Sequence, residues 1–252
     1  MRLEQVAFNW ERFGERDALG AILTEGPPGA ERWDTAAFFE TGAKEVAGLR
    51  ARCLELGLAF GGTRALDFGC GVGRLTRHLL EDFEEAHGVD LADSMVQRAR
   101  QLNPSEKLRF LGNSSPDLEL LQADSYDLAL SLITLQHVPP AYARLYIQEF
   151  FRKTRPGGTV FFQLPTQSHG RSSALLGGHS LKQRLLGCLP AGWVERYRLL
   201  RTRRPRMDMF GMPRQEVEAL IRSAGGELLA ADEAPDAGDL LPSLRYFARR
   251  IP

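Results

Sequence analysis

This sequence holds little cysteine and no long apolar run. The three cysteines among 252 residues, Cys53, Cys70 and Cys188, are odd in number and far apart, which rules out a disulfide framework and gives no zinc-ligand spacing. The longest apolar stretch, Leu128 to Leu135, is interrupted by Ser131 and Thr134. It falls far short of the roughly 20 residues a membrane-spanning helix needs. The N-terminal Met1-Arg2-Leu3-Glu4-Gln5 lacks an apolar signal core. Charge of one sign is also missing: 32 Lys and Arg balance 32 Asp and Glu. A neutral chain has no global pull towards nucleic acid or an anionic membrane. These absences read as a soluble protein of a reducing compartment, the cytoplasm, without a resident metal.

What is present is an alternation. Residues 1–60 precede the first clear strand, and Trp33 to Leu58 carries apolar residues near a 3.6 period, with Gly57 as its stop. From residue 63 strands and helices follow one another: strands at 63–68, 85–90, 108–111, 126–132 and 159–164, and helices at 75–83, 93–102 and 140–153, the last with proline near its start. A helix at 213–224 and strands at 227–232 and 244–249 close the chain. This order predicts an α/β fold with a doubly wound, mainly parallel sheet. Residues 1–60 are expected to form a helical cap, and 61–252 the main domain with an insertion at about 166–212.

The first strand runs into Asp67-Phe68-Gly69-Cys70-Gly71-Val72-Gly73-Arg74. Strand, glycine turn and helix start together make a cradle for a nucleotide-like cofactor. The spacing is G-x-G-x-G, however, and not the G-x-G-x-x-G of dinucleotide enzymes. Asp67, at the carboxyl end of its strand, suits an ammonium group and would repel a pyrophosphate. Asp90, ending the second strand, can accept hydrogen bonds from both hydroxyls of a ribose, each contributing about 1.5–3 kcal/mol. Asn113, after the third strand, can offer an amide oxygen to an adenine amino group.

Together these residues resemble the class I S-adenosylmethionine-dependent methyltransferases, and the resemblance covers roughly 63–165. Leu66 to Gly73 looks like the family's first motif, Gly88-Val89-Asp90 with Met95 its second, and Gly112-Asn113-Ser114 its third. Leu135-Gln136-His137-Val138 and Arg155-Pro156-Gly157-Gly158 match the small-molecule branch. The resemblance implies a Rossmann-like seven-stranded sheet with an antiparallel last strand. It implies S-adenosyl-L-methionine as cofactor and S-adenosyl-L-homocysteine as product. The methionine part would lie on Asp67, Gly69, Cys70, Gly71 and Gly73, the ribose on Asp90, the adenine faces on Leu91 and Met95, and its edge on Asn113 and Ser114. Leu132, Phe39 and Gly42 complete the candidate cofactor set, with the Trp33 to Gly42 stretch as a cover. Asn113 departs from the Asp that many relatives carry; it keeps the acceptor and loses the charge.

His137, just past the fourth strand, is the candidate general base, and Gln136, His169, Arg171 and Tyr197 are candidate substrate contacts. His78 and His87 are expected at the surface. The insertion reads as two amphipathic helices, in the position of a substrate lid. It carries nine Lys or Arg against two acids, clustered at Arg196, Arg198, Arg201, Arg203, Arg204 and Arg206. Such a cluster suits an acidic small molecule, a phosphopantetheine carrier or peripheral contact with an anionic membrane. Ile133-Thr134-Leu135-Gln136 lacks the signature of DNA amino-methyltransferases, which sets DNA aside. A protein or tRNA substrate, and a catalytically silent cofactor-binding scaffold, stay open beside small-molecule O- or N-methylation.

Overall fold

The computed structural model describes residues 1–23, 33–167, 205–234 and 242–252. Two helices come first. α1 (Leu3–Ile22) is broken at Asp17, whose backbone leaves the helical region (φ −155°, ψ 83°). α2 (Thr35–Glu55) starts where the Asp34 carboxylate accepts from the Ala37 N–H at 2.9 Å. It ends at Gly57, which takes the left-handed conformation (φ 67°) that closes many helices.

Seven strands follow: β1 (Gly62–Phe68), β2 (Phe83–Asp90), β3 (Leu108–Gly112), β4 (Tyr126–Ser131), β5 (Thr154–Pro165), β6 (Gly226–Glu233) and β7 (Ser243–Arg250). They form one sheet in the order β3-β2-β1-β4-β5-β7-β6. β7 runs antiparallel to both its neighbours, and the pairings among β1 to β5 are parallel. The mainly parallel sheet is what the sequence pattern predicts, and its seven strands with an antiparallel last one are what the resemblance implies. The strand order reverses between β1 and β4, and that switch point opens a crevice at the carboxyl ends of the strands.

Helices cover both faces. α4 (Pro140–Lys153) and α5 (Arg214–Ser223) bury Phe150, Phe151 and Ile221 on one side. There Phe68 lies 4.3 Å from the Tyr146 ring and 5.3 Å from that of Phe150, centroid to centroid. On the other side Val46, Leu49 and Cys53 of α2 pack with Leu128, Leu130, Phe161 and Phe247. A third cluster joins α1, α2 and α3 (Asp93–Leu102) through Ala18, Ala21, Phe38, Phe39, Val72 and Met95.

Three local expectations are corrected. The helix expected at 75–83 is a 3₁₀ turn, Thr76–Glu81, because β2 already begins at Phe83. A 3₁₀ turn rises about 2.0 Å per residue against about 1.5 Å for an α-helix, so it returns the chain along β1 with fewer residues. β5 starts five residues early, at Thr154, with Pro156-Gly157-Gly158 as an irregularity inside it. His87 is buried, not at the surface: β2 lies between β1 and β3, and the His87 Nδ1 sits 2.7 Å from the Tyr126 hydroxyl. His78 is half-buried, with Nε2 3.0 Å from the Phe39 carbonyl oxygen. Most of the insertion, 168–204, lies outside the described residues, and with it the two expected lid helices and all of the basic cluster but Arg206.

Candidate functional site

The glycine loop is built from its ends inwards. The N–H groups of Gly69 and Cys70 both donate to the Val89 carbonyl, at 2.7 and 3.1 Å, which ties the end of β1 to the end of β2. Gly69 (φ 76°) and Gly71 (φ 52°) take conformations that side chains resist. A Cβ at Gly69 would also run into the Thr134 side chain, and one at Gly71 would meet Ile22 Cδ1 at 2.5 Å. The loop is thus enclosed by the stretch after β4 and by the end of α1.

Two carboxylates flank this loop. Asp90 Oδ2 accepts from the Gly71 N–H and Oδ1 from the Ala92 N–H, each at 2.9 Å. Each oxygen keeps a second lone pair for a ligand hydroxyl. Burial raises the Asp90 pKa, and these backbone donors oppose the rise. Asp67 accepts from the Thr76 hydroxyl at 2.6 Å. Its burial pushes its pKa up to about 6, against the pull of the Thr76 hydroxyl and the Arg74 charge. The Cys70 thiol is held well above its usual range by burial, so it packs and does not react.

Above the loop lies a cleft with about 770 Å³ of empty space, part of it open to solvent. Of the candidate residues, Asp67, Gly69, Cys70, Gly71, Asp90, Leu91, Met95, Leu132 and His137 line it. Others do not. Gly73 packs behind the loop, where a Cβ would meet Asn103 Nδ2 at 2.7 Å. Asn113 spends its amide N–H groups on the Ser115 and Asp117 carbonyls, at 3.0 and 2.9 Å, and so folds its own loop. Ser114 is exposed. Phe39 and Gly42 lie away from the cleft wall: Phe39 packs on Phe38 and under the Arg77 guanidinium, and Gly42 backs onto Arg74. The cover comes from α1 instead, through Val6, Trp10 and Ile22. His169, Arg171 and Tyr197 lie outside the described residues.

Among the lining residues not singled out from the sequence are Arg74, Trp10 and Ile133. Arg74 follows the last glycine and is buried beside Asp67. The pair offers one cation and one carboxylate, which matches the two charged ends of an amino acid. Trp10 projects from α1 onto His137, with rings 5.1 Å apart and edge to face. Ile133 takes φ 58°, a strained backbone for a β-branched residue, and lines the cleft directly after β4. Such strain gathers at binding sites. The glycine motif marks Arg74 by adjacency, but nothing local in the sequence marks Trp10 or Ile133.

His137 is buried, and burial lowers its pKa to about 4. It is therefore neutral at neutral pH. Its Nδ1 is 3.0 Å from the Asp208 carbonyl oxygen, which can only accept, so Nδ1 carries the proton and Nε2 the lone pair. Gln136 does not line the cleft; its side-chain nitrogen lies 3.2 Å from His137 Nε2.

Residues 66–162 match the family described as Methyltransferase domain. The chain is 32% identical over 143 residues to the ubiquinone biosynthesis O-methyltransferase of Idiomarina loihiensis, covering 56% of each. It is 29% identical over 153 residues to the enzyme of the same name from Methylococcus capsulatus, covering 60% of this chain and 63% of that one. The chain thus spans little more than half the length of the curated relatives it matches. Among solved structures, the magnesium protoporphyrin IX methyltransferase of Synechocystis PCC 6803, with S-adenosylhomocysteine bound, superposes with a TM-score of 0.65 at 17% identity, covering 98% of this chain and 99% of that one. A Leishmania major S-adenosylmethionine-dependent methyltransferase gives 0.63 at 15% identity, covering 97% and 83%. At these identities the structural likeness concerns the fold.

Proposed function

We propose that the protein is a class I S-adenosylmethionine-dependent methyltransferase, a reading supported by the match of residues 66–162 to a methyltransferase-domain family, and that it transfers a methyl group to a hydroxyl oxygen of a small-molecule acceptor. The observation that carries this reading is the pair of carboxylates, Asp67 buried and Asp90 half-buried, on either side of the glycine loop in one cleft. The curated relatives, named for O-methylation, support oxygen as the acceptor atom.

The residues present fit the cofactor. Asp90 has one unused lone pair on each oxygen for the two ribose hydroxyls. Asp67 receives the ammonium, and Arg74 the carboxylate. Leu91 and Met95 supply the apolar faces for an adenine. When bound, S-adenosylmethionine supplies a methyl carbon already activated by its sulfonium. The protein has only to align an acceptor with it, which for a well-oriented pair accounts for up to about 7–11 kcal/mol of the barrier. α1 closes the cleft with Val6, Trp10 and Ile22, which keeps water from the reacting atoms. His137, neutral and at the cleft wall, takes the hydroxyl proton on Nε2.

In this reading residues 1–60 cap the domain of 61–252. The basic residues of 166–212 favour an anionic or carrier-bound acceptor, and the buried thiols at Cys53 and Cys70 suit the cytoplasm. No helix among the described residues is long and apolar enough to cross a membrane. The test is incubation with S-adenosylmethionine and a panel of hydroxylated small molecules, followed by mass spectrometry. Stoichiometric S-adenosylhomocysteine and an acceptor heavier by one methylene support the reading. Cofactor binding with no transfer to any hydroxyl, thiol or amine would point to the silent scaffold.

A further inference from the structure

Gln136 and His137 are adjacent in sequence, both buried, and joined side chain to side chain. Two hydrogen bonds fix the assignment of every proton between them. The Asp208 carbonyl can only accept, so His137 Nδ1 donates to it, at 3.0 Å. His137 Nε2 is then a bare acceptor, and the group 3.2 Å away must be the donating end of the Gln136 amide. Turning that amide over would set oxygen against a lone pair. The Gln136 Oε1 is left buried with no hydrogen-bond partner. A buried acceptor in that state is destabilising, so its retention calls for a role.

The surroundings hold the pair still. The Phe210 N–H donates to the Gln136 carbonyl at 2.6 Å, and the Met212 N–H to that of Pro165 at 2.9 Å. The Trp10 ring packs edge to face on the imidazole. The Arg206 N–H reaches Asn9 Oδ1 of α1 at 3.2 Å. His137 thus stands where α1, the end of β4 and the stretch 205–212 meet. Among the described residues, the charged side chain there that acts on its titration is Asp208, whose carboxylate in turn pairs with Arg206 at 2.8 Å.

We propose that Gln136 is a positioning residue for His137: its side-chain N–H occupies His137 Nε2 while no acceptor is bound, and so keeps the imidazole as the Nδ1–H tautomer that can take a proton on Nε2. An incoming hydroxyl displaces this placeholder. In the transfer step, which rests on the function proposed above, the acceptor O–H bond breaks and its proton passes to Nε2. The oxygen forms its bond to the methyl carbon with a lone pair, and sulfur keeps the electron pair of the broken S–C bond. The imidazolium then returns its proton to water.

The positioning claim is tested in the resting protein, without any acceptor. The probe is ¹⁵N-labelled histidine, with the His137 signal identified by its loss in His137→Phe. The wild type is expected to show the Nδ1–H tautomer. Gln136→Leu removes the donor that favours the neutral ring, so the His137 midpoint should rise, by about three- to tenfold in proton affinity. Gln136→Met serves the same purpose should the branched side chain not fold. Gln136→Glu, with a carboxylate beside Nε2, should raise the midpoint further and move the proton to Nε2. An Nε2–H tautomer in the wild type, or an unmoved midpoint in both apolar variants, would overturn the proposal. A shifted midpoint in a protein that methylates nothing would leave the positioning role standing and remove the transfer step.

Discussion

The Thr76 hydroxyl donates to Asp67 Oδ2 at 2.6 Å and links the 3₁₀ turn to the carboxyl end of β1. This bond is the chief stabiliser of a charge that burial penalises. Thr76→Val is therefore expected to cost about 1–3 kcal/mol in denaturant unfolding at neutral pH, where the carboxylate is left short of a donor. Asp67→Asn removes the buried charge itself. It should unfold no more easily than the wild type and bind S-adenosylhomocysteine at least about tenfold more weakly, as calorimetry would show.

The same carboxylate sets a pH dependence. Its pKa lies near 6 in the folded protein and at 3.8 in the unfolded chain. A raised value means that its contribution to stability is full below pH 3.8 and lost as pH rises through about 6. Ligand binding has the opposite sign, because only the ionised form holds an ammonium. The dissociation constant for S-adenosylhomocysteine should rise as pH falls below about 6, and this dependence should vanish in Asp67→Asn. His137 adds a second slope: with its folded pKa lowered to about 4, its contribution is full above about 6.5 and falls away towards pH 4.

Gly69→Ala tests the turn. The residue must hold φ 76° and fit a methyl group against Thr134. The backbone term alone is about 1–2 kcal/mol. The variant should melt lower and lose cofactor affinity together, while Gly48→Ala, with open space around its Cα, should do neither.

Tyr126→Phe tests the buried pair at the other end of the sheet. It removes the hydroxyl that lies 2.7 Å from His87 Nδ1 and should cost about 1 kcal/mol of stability with no change in cofactor affinity.

The parts of this molecule set by local chemistry were legible in the sequence. Pro140 fixed the start of α4 to the residue, and Gly57 the end of α2. Of the motif's glycines and acids, Asp67, Gly69, Gly71 and Asp90 line one cleft at the carboxyl ends of the strands. What escaped depends on partners distant in sequence. His87 reads as a surface residue until Tyr126, 39 residues on, is brought beside it. Trp10 reads as one apolar position on a helix among others, and only the docking of α1 onto α3, where Glu11 accepts from the Ser94 N–H at 3.0 Å, turns it into the cleft. The Asn113 amide N–H groups close its own loop onto the Ser115 and Asp117 carbonyls, contacts that spacing does not display.

The measurement that bears most directly on the account is calorimetric titration with S-adenosylhomocysteine of the wild type and of Asp90→Asn. The wild type should bind one molecule per chain. Asp90→Asn, which loses a charged acceptor for ribose hydroxyls and for the Gly71 N–H, should bind roughly ten- to a hundredfold more weakly. No binding by the wild type, or equal binding by the two proteins, would contradict the account.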